Sequence, residues 1–189
     1  MWASLMASSG LPATPPRRAR RRVPESSIDL CRVVVVGSSV ALGRVATNDE
    51  GWAFHLGQAL GDSYGLNLVN VAESGRNTNT TTEMLEDALV EYTPRLVVIG
   101  LSLANEGLPW LASKGLSPTV ENSQSIGQSY RAGLLTLAHL AEQANATVVI
   151  AGVYPHDRYA VNESAVLFET DAILKTSVRL QPLCHSLPS

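Results

Sequence analysis

Four short apolar runs, rich in β-branched residues, punctuate this chain: Val33–Val36, Leu66–Val71, Leu96–Ile99 and Thr147–Ile150. Continuous apolar runs of this length, bounded by turn residues, predict strands buried on both faces. Between them the apolar spacing switches to the helical period. Residues 51–61 place Trp52, Leu56, Ala59 and Leu60 on one stripe. Residues 80–92 place Leu85, Ala88, Leu89 and Tyr92 at i, i+3, i+4, i+7, with Thr80 and Glu83 as a capping box. Residues 125–144 open on a second box, Ser125 and Gln128, and align Tyr130, Leu134, Leu137, Ala141 and Ala144. Strands that alternate with helices pair in parallel through right-handed crossovers. The predicted fold is therefore α/β, a three-layer α/β/α sandwich around a flavodoxin-like parallel sheet.

Ligands of such sheets bind beyond the carboxyl ends of the strands. The loops to inspect are then those after Val36, Val71, Ile99 and Ile150. The first reads Gly37-Ser38-Ser39-Val40-Ala41-Leu42-Gly43. The second contains Glu73-Ser74-Gly75-Arg76-Asn77-Thr78, and the third runs from Gly100 through Asn105-Glu106-Gly107. A hydroxyl nucleophile, a glycine that admits close approach of backbone, and an amide donor together suit acyl transfer through a tetrahedral oxyanion. Each part also has a plainer reading. Ser38 and Ser39 could simply cap the next helix, and Asn105 could be a turn residue. A phosphate loop would need Gly-Lys-Ser/Thr at its end, whereas Gly43 is followed by Arg44.

Taken in order, the three segments resemble the first three conserved blocks of the SGNH (GDSL-type) hydrolases, over roughly residues 31–175. The resemblance implies the SGNH hydrolase fold and an esterase or lipase acting on carboxylic esters of small molecules. It implies Ser39 as nucleophile, with its own backbone N–H, Gly75 and Asn105 forming the oxyanion hole. No metal or organic cofactor is implied. Three positions depart from the family pattern: Ser38 replaces Asp, Leu103 replaces Gly, and Glu106 replaces the Asp that follows the Asn. The family's last block, Asp-x-x-His, supplies the general base and the residue that orients it. None of the four His here (His55, His139, His156, His185) has an Asp three residues before it.

The sequence thus reads as an SGNH-type domain over 31–175 that lacks its C-terminal part, followed by an irregular tail at 176–189. A weak nucleophile without a base predicts a poor catalyst. His156 and Asp157 occupy the loop after the fourth strand and read as loop surface. His55 and His139 fall on helices and read as exposed surface away from the strand ends. Two non-hydrolytic alternatives remain at this point, a carbohydrate- or acyl-binding protein and a nucleotide-binding α/β protein.

Composition narrows the classes further. Of 189 residues, 45% are apolar and 16% charged, which is enough for a folded core. Net charge is −3, but residues 1–30 carry five Arg against Glu25 and Asp29, so the body is acidic and the leader basic. An acidic body argues against nucleic acid as the main ligand. The leader reads as a disordered tail, with an organelle transit peptide as the alternative. Two Cys, Cys31 and Cys184, can build neither a disulfide framework nor a Cys-based zinc site. No stretch of about 18 apolar residues exists to span a membrane. Asn79, Asn145 and Asn162 open glycosylation sequons, relevant only to a secreted chain.

Overall fold

In the computed structural model, which describes residues 32–44, 46–107, 120–154, 165 and 168–172, four parallel strands form one sheet in the order β2-β1-β3-β4. The strands are β1 (Arg32–Gly37), β2 (Asn67–Asn70), β3 (Leu96–Gly100) and β4 (Thr147–Ile150). The register runs Val34 opposite Val69 and Val97, and Val97 opposite Val148. This is the doubly wound order of a flavodoxin-like sheet over the strands described. Both faces are covered, as predicted. On one face Val34, Val36, Val97 and Ile99 pack with α3 (Thr78–Tyr92) and α4 (Val120–Gln143) through Leu85, Leu89, Leu134 and Leu137. On the other, Val33, Val35 and Val98 meet Ala53, Trp52 and Leu60 of α2 (Trp52–Tyr64). A four-residue helix, α1 (Ser39–Leu42), follows β1 directly.

The helix stripes hold, with local corrections. α3 starts at Thr78, two residues before the expected 80–92, because Asn77 is its N-cap. Asn77 Oδ1 accepts the Thr80 N–H at 2.9 Å, and Thr80 Oγ1 accepts the Asn77 N–H at 3.0 Å, so the box is Asn77–Thr80 rather than Thr80–Glu83. α4 already includes Val120, which leaves Ser125 and Gln128 exposed inside the helix rather than capping it. Its buried line runs Ser123, Tyr130, Leu134, Leu137 and Ala141, while Ala144 lies past the helix end and is exposed. In α2 the inward face centres on Ala53 and Gly57, and Ala59 turns to solvent. The strands also differ in burial. Every β1 residue after Arg32 is buried, whereas Asn67 and Asn70 of β2 are exposed and β4 is half-buried throughout. Position in the sheet explains it, since β2 and β4 flank the central pair.

Among the described residues no helix is long and apolar enough to cross a membrane. The leader, the tail at 176–189, Cys31, Cys184, His156, Asp157, Asn162 and His185 lie outside the described residues.

Candidate active site

A parallel sheet delivers every strand's carboxyl end to the same side, so the loops after β1, β2 and β3 stand together, with β1 in the middle. Backbone hydrogen bonds join them. The Ser38 N–H donates to the Gly100 carbonyl at 3.1 Å, and the Glu73 N–H donates to the Gly37 carbonyl at 3.1 Å. Gly37 is placed by space. A Cβ there would collide with the Gly100 carbonyl oxygen and stand 2.7 Å from Ala41 Cβ. The loops that leave the paired strands β1 and β3 can therefore close up only where this residue has no side chain.

Ser39 is the first residue of α1 and is half-buried. Ser38 holds the N-cap position, but its side chain makes no capping bond, and its buried Oγ finds no partner among the described residues. Capping by the Ser38 hydroxyl is thus not what the turn uses. Instead the Asn70 side chain fixes α1 from the neighbouring strand: Nδ2 donates to the Ala41 carbonyl at 2.8 Å, while Oδ1 accepts the Ala72 N–H at 3.1 Å.

Gly75 sits exposed in the second loop at φ +81°, a left-handed conformation that L side chains rarely adopt. The loop's polar groups are tied down around it. Arg76 Nε and Nη2 both reach Glu73 Oε2, at 2.9 and 2.6 Å, and Nη1 donates to the Thr80 carbonyl at 2.7 Å. Arg44, just past α1, donates to Ser74 Oγ at 3.2 Å.

Asn105 lies in a 3-10 turn, Leu103–Glu106, that begins after β3 with Ser102 as its cap. Its Nδ2 donates to the Arg76 carbonyl at 2.8 Å, one residue beyond Gly75. An amide nitrogen carries two protons. One of them orients the group against the second loop. Glu106 Oε1 accepts the Thr78 N–H at 2.7 Å. Burial raises the Glu106 carboxyl above the usual glutamate range, and the bonds from Thr78 oppose that shift.

Beneath the first loop lies a group that the sequence did not single out. Gly100 leaves room for two side chains, since a Cβ on it would stand 2.7 Å from the Trp52 ring and 2.9 Å from the Tyr154 hydroxyl. Burial pushes the Tyr154 phenol up to about 12, with a smaller opposing effect from the Trp52 indole N–H. The two polar atoms are close enough to influence one another, yet neither makes a hydrogen bond of good geometry among the described residues. Tyr154 is therefore neutral at ordinary pH and acts as packing.

The sequence-predicted residues Ser39, Gly75 and Asn105 thus sit on adjacent loops at one end of the sheet. His55 stands elsewhere than expected, in the first turn of α2 at this same end, because Gly51 packs on Gly43 at the end of α1. Its ring is exposed and stacks edge-on with Phe54, 5.5 Å away. His139 is exposed near the far end of α4 and contacts Gln143. Among the described residues no three metal-ligating side chains stand together. A groove of about 270 Å³ beside Val71 and Arg76 is lined by Glu83, Asp87 and Glu91 rather than by Ser39. Asn70 and Arg76 are polar residues of the site to which sequence reasoning gave no role, and Glu106 entered it only as the residue in the place of the family's Asp.

No family model matches this chain, and no curated protein matches it in sequence. Solved structures do match it. TesA superposes with a TM-score of 0.59 at 22% identity, covering 77% of this chain and 73% of TesA. The psychrotrophic esterase EstA from Pseudoalteromonas sp., in a structure inhibited by monoethylphosphonate, gives 0.57 at 21%, covering 78% and 73%. A member of the lipolytic protein G-D-S-L family from Veillonella parvula gives 0.59 at 15%, covering 77% and 71%. The likeness is one of fold, and it is the likeness that the three loop motifs imply: this chain has the architecture of the G-D-S-L lipolytic hydrolases.

Proposed function

We propose that this chain is a serine hydrolase of the SGNH type acting on carboxylic esters. Ser39 attacks the acyl carbon, and the negative charge that forms on the carbonyl oxygen is met by the N–H groups of Ser39 and Gly75 and by the second Nδ2 proton of Asn105. The observation that carries this reading is the side-by-side placement of the three loops, in which Asn105 reaches the residue next to Gly75. Donors fixed in advance around a developing oxyanion are the largest single source of rate in acyl transfer. Collapse of the tetrahedral adduct expels the alcohol and leaves an acyl-enzyme on Ser39, which water then hydrolyses.

The Ser39 proton must pass to a base, and among the described residues no hydrogen bond joins Ser39 to His55 or His139, whose partners are Phe54 and Gln143. A chain in which no other residue takes that proton is a slow catalyst. Losing the base of a serine protease lowers turnover by about 10⁶. That same observation favours the second reading, an acyl-binding protein that keeps the cleft without turnover.

A fluorophosphonate probe and a short-chain aryl ester separate the two. The hydrolase reading expects labelling at Ser39, slow ester turnover, and loss of both in Ser39→Ala. Asn105→Ala should lower the rate by roughly 10²–10³. A protein that binds the ester but is never labelled at Ser39 is a binding protein, and the hydrolase reading is then wrong.

A further inference from the structure

Two consecutive side chains of the Leu103–Glu106 turn grip the second loop on either side of Asn77. Asn105 holds the Arg76 carbonyl, and Glu106 holds the Thr78 N–H. α3 does not need Glu106 in order to start, because the Asn77–Thr80 box already caps it. The Thr78 N–H is one of the first-turn amides that no helical carbonyl can reach, and a carboxylate is a favourable partner at that end of a helix.

Thr78 is itself immobilised. It is 3% exposed, and its side chain fills the space that a Cβ on Gly133 of α4 would occupy, with Thr78 Cγ2 2.9 Å from that point. Gly75, by contrast, is exposed and has nothing within 4 Å of where its side chain would be. Packing does not place it. Its N–H takes its position from the chain on both sides, through Ser74 before it and through Arg76 and Thr78 after it.

We propose that Glu106 is a positioning residue that holds the Gly75 N–H and the Asn105 amide at a fixed separation, by locking Thr78 to the turn that carries Asn105. This rests on the hydrolase reading for its consequence in rate, but not for its geometry. Glu106 touches no reacting atom. Its effect passes through Thr78 to the second loop, and through its neighbour Asn105 to the third.

The test compares Glu106→Gln, which keeps the accepting oxygen and the side-chain length, with Glu106→Ala, which removes both. In ¹⁵N–¹H spectra of the full chain, Glu106→Ala should shift the Gly75 amide and move both Nδ2 proton signals of Asn105 towards the values of a solvent-exposed amide. Glu106→Gln should leave these signals in place. Labelling of Ser39 by a fluorophosphonate should slow about tenfold in Glu106→Ala, the worth of one hydrogen bond, and return to within about twofold in Glu106→Gln. If Glu106→Ala does not fold, Glu106→Asp, shortened by one methylene, is read in the same way.

A shift confined to the Thr78 amide, with Gly75 and Asn105 unmoved, would make Glu106 an ordinary helix cap and overturn the proposal. So would an unchanged labelling rate in a folded Glu106→Ala protein that is labelled in its native form. If the native chain is never labelled, the hydrolase reading fails, and the spectra alone still decide whether Glu106 positions the two donors.

Discussion

The loops after β1 and β2 meet at one end of the sheet, yet they are held in opposite ways. The first is set by excluded volume and backbone. Gly37, Ser38 and Ala41 are buried, and Gly37 lies where no side chain fits against Gly100. The second is open. Glu73, Ser74 and Gly75 are exposed, and side-chain hydrogen bonds from Arg76, Arg44, Asn105 and Glu106 fix the loop. A close-packed region cannot shift a little, because even a small volume change is felt as strain. A hydrogen-bonded loop can lose one tie and keep the fold. Substitutions in the first loop should therefore be read out as stability, and those around the second as geometry and rate.

The sharpest contrast is between two glycines. Gly37→Ala should destabilise the protein by about 3 kcal/mol in urea unfolding, because the added methyl meets backbone that cannot withdraw. Gly75→Ala meets open space and bears only the left-handed backbone penalty, about 1 kcal/mol. Equal losses at the two sites would remove the distinction between the loops. The third loop lies between the extremes, since the buried Tyr130 hydroxyl donates to the Leu101 carbonyl at 2.8 Å. Tyr130→Phe leaves that carbonyl short of a donor and should lower stability by about 1–2 kcal/mol in the same measurement.

Glu106 gives the comparison a dependence on pH. Burial raises its carboxyl in the folded protein, so its contribution to stability is fully present below the ordinary glutamate range and is lost as pH rises through the folded value. Glu106→Gln cannot ionise and keeps the acceptor. Its melting temperature should match the native chain near about pH 4 and exceed it near about pH 7, because partial burial disfavours ionisation of the native carboxyl and Gln has none to ionise. A gap that stays constant with pH would show that burial of the charge is not what the substitution relieves. The smallest effect is expected from Arg76→Ala. Its ion pair with the exposed Glu73 is partly solvated, so unfolding should change by less than about 1 kcal/mol and the difference should shrink in salt.

Much of the frame is legible along the chain. The apolar runs ending at Val36, Ile99 and Ile150 and the stripe Leu85, Ala88, Leu89, Tyr92 are local patterns, because a side chain's face depends on its spacing from near neighbours. Parallel order follows from the alternation of strands with helices, and with it the gathering of Ser39, Gly75 and Asn105 at one end. The cap at Asn77 was missed because several Thr in succession offer competing caps, and only the closed geometry selects one. Ala59 was misplaced because a stripe of four apolar residues does not fix the centre of the face, which α2 sets by packing Ala53 on Val33 and Val35.

Local pattern thus determined the elements, their parallel sense and the loops that carry the chemistry. The tertiary structure decided the rest: that β2 and β4 flank the central pair, that Gly100 makes room for Trp52 and Tyr154, and that Glu106 reaches Thr78 across 28 residues of chain and Asn105 reaches Arg76 across 29. Such bonds have no period to read, because their partners become neighbours only when separate strands are laid side by side.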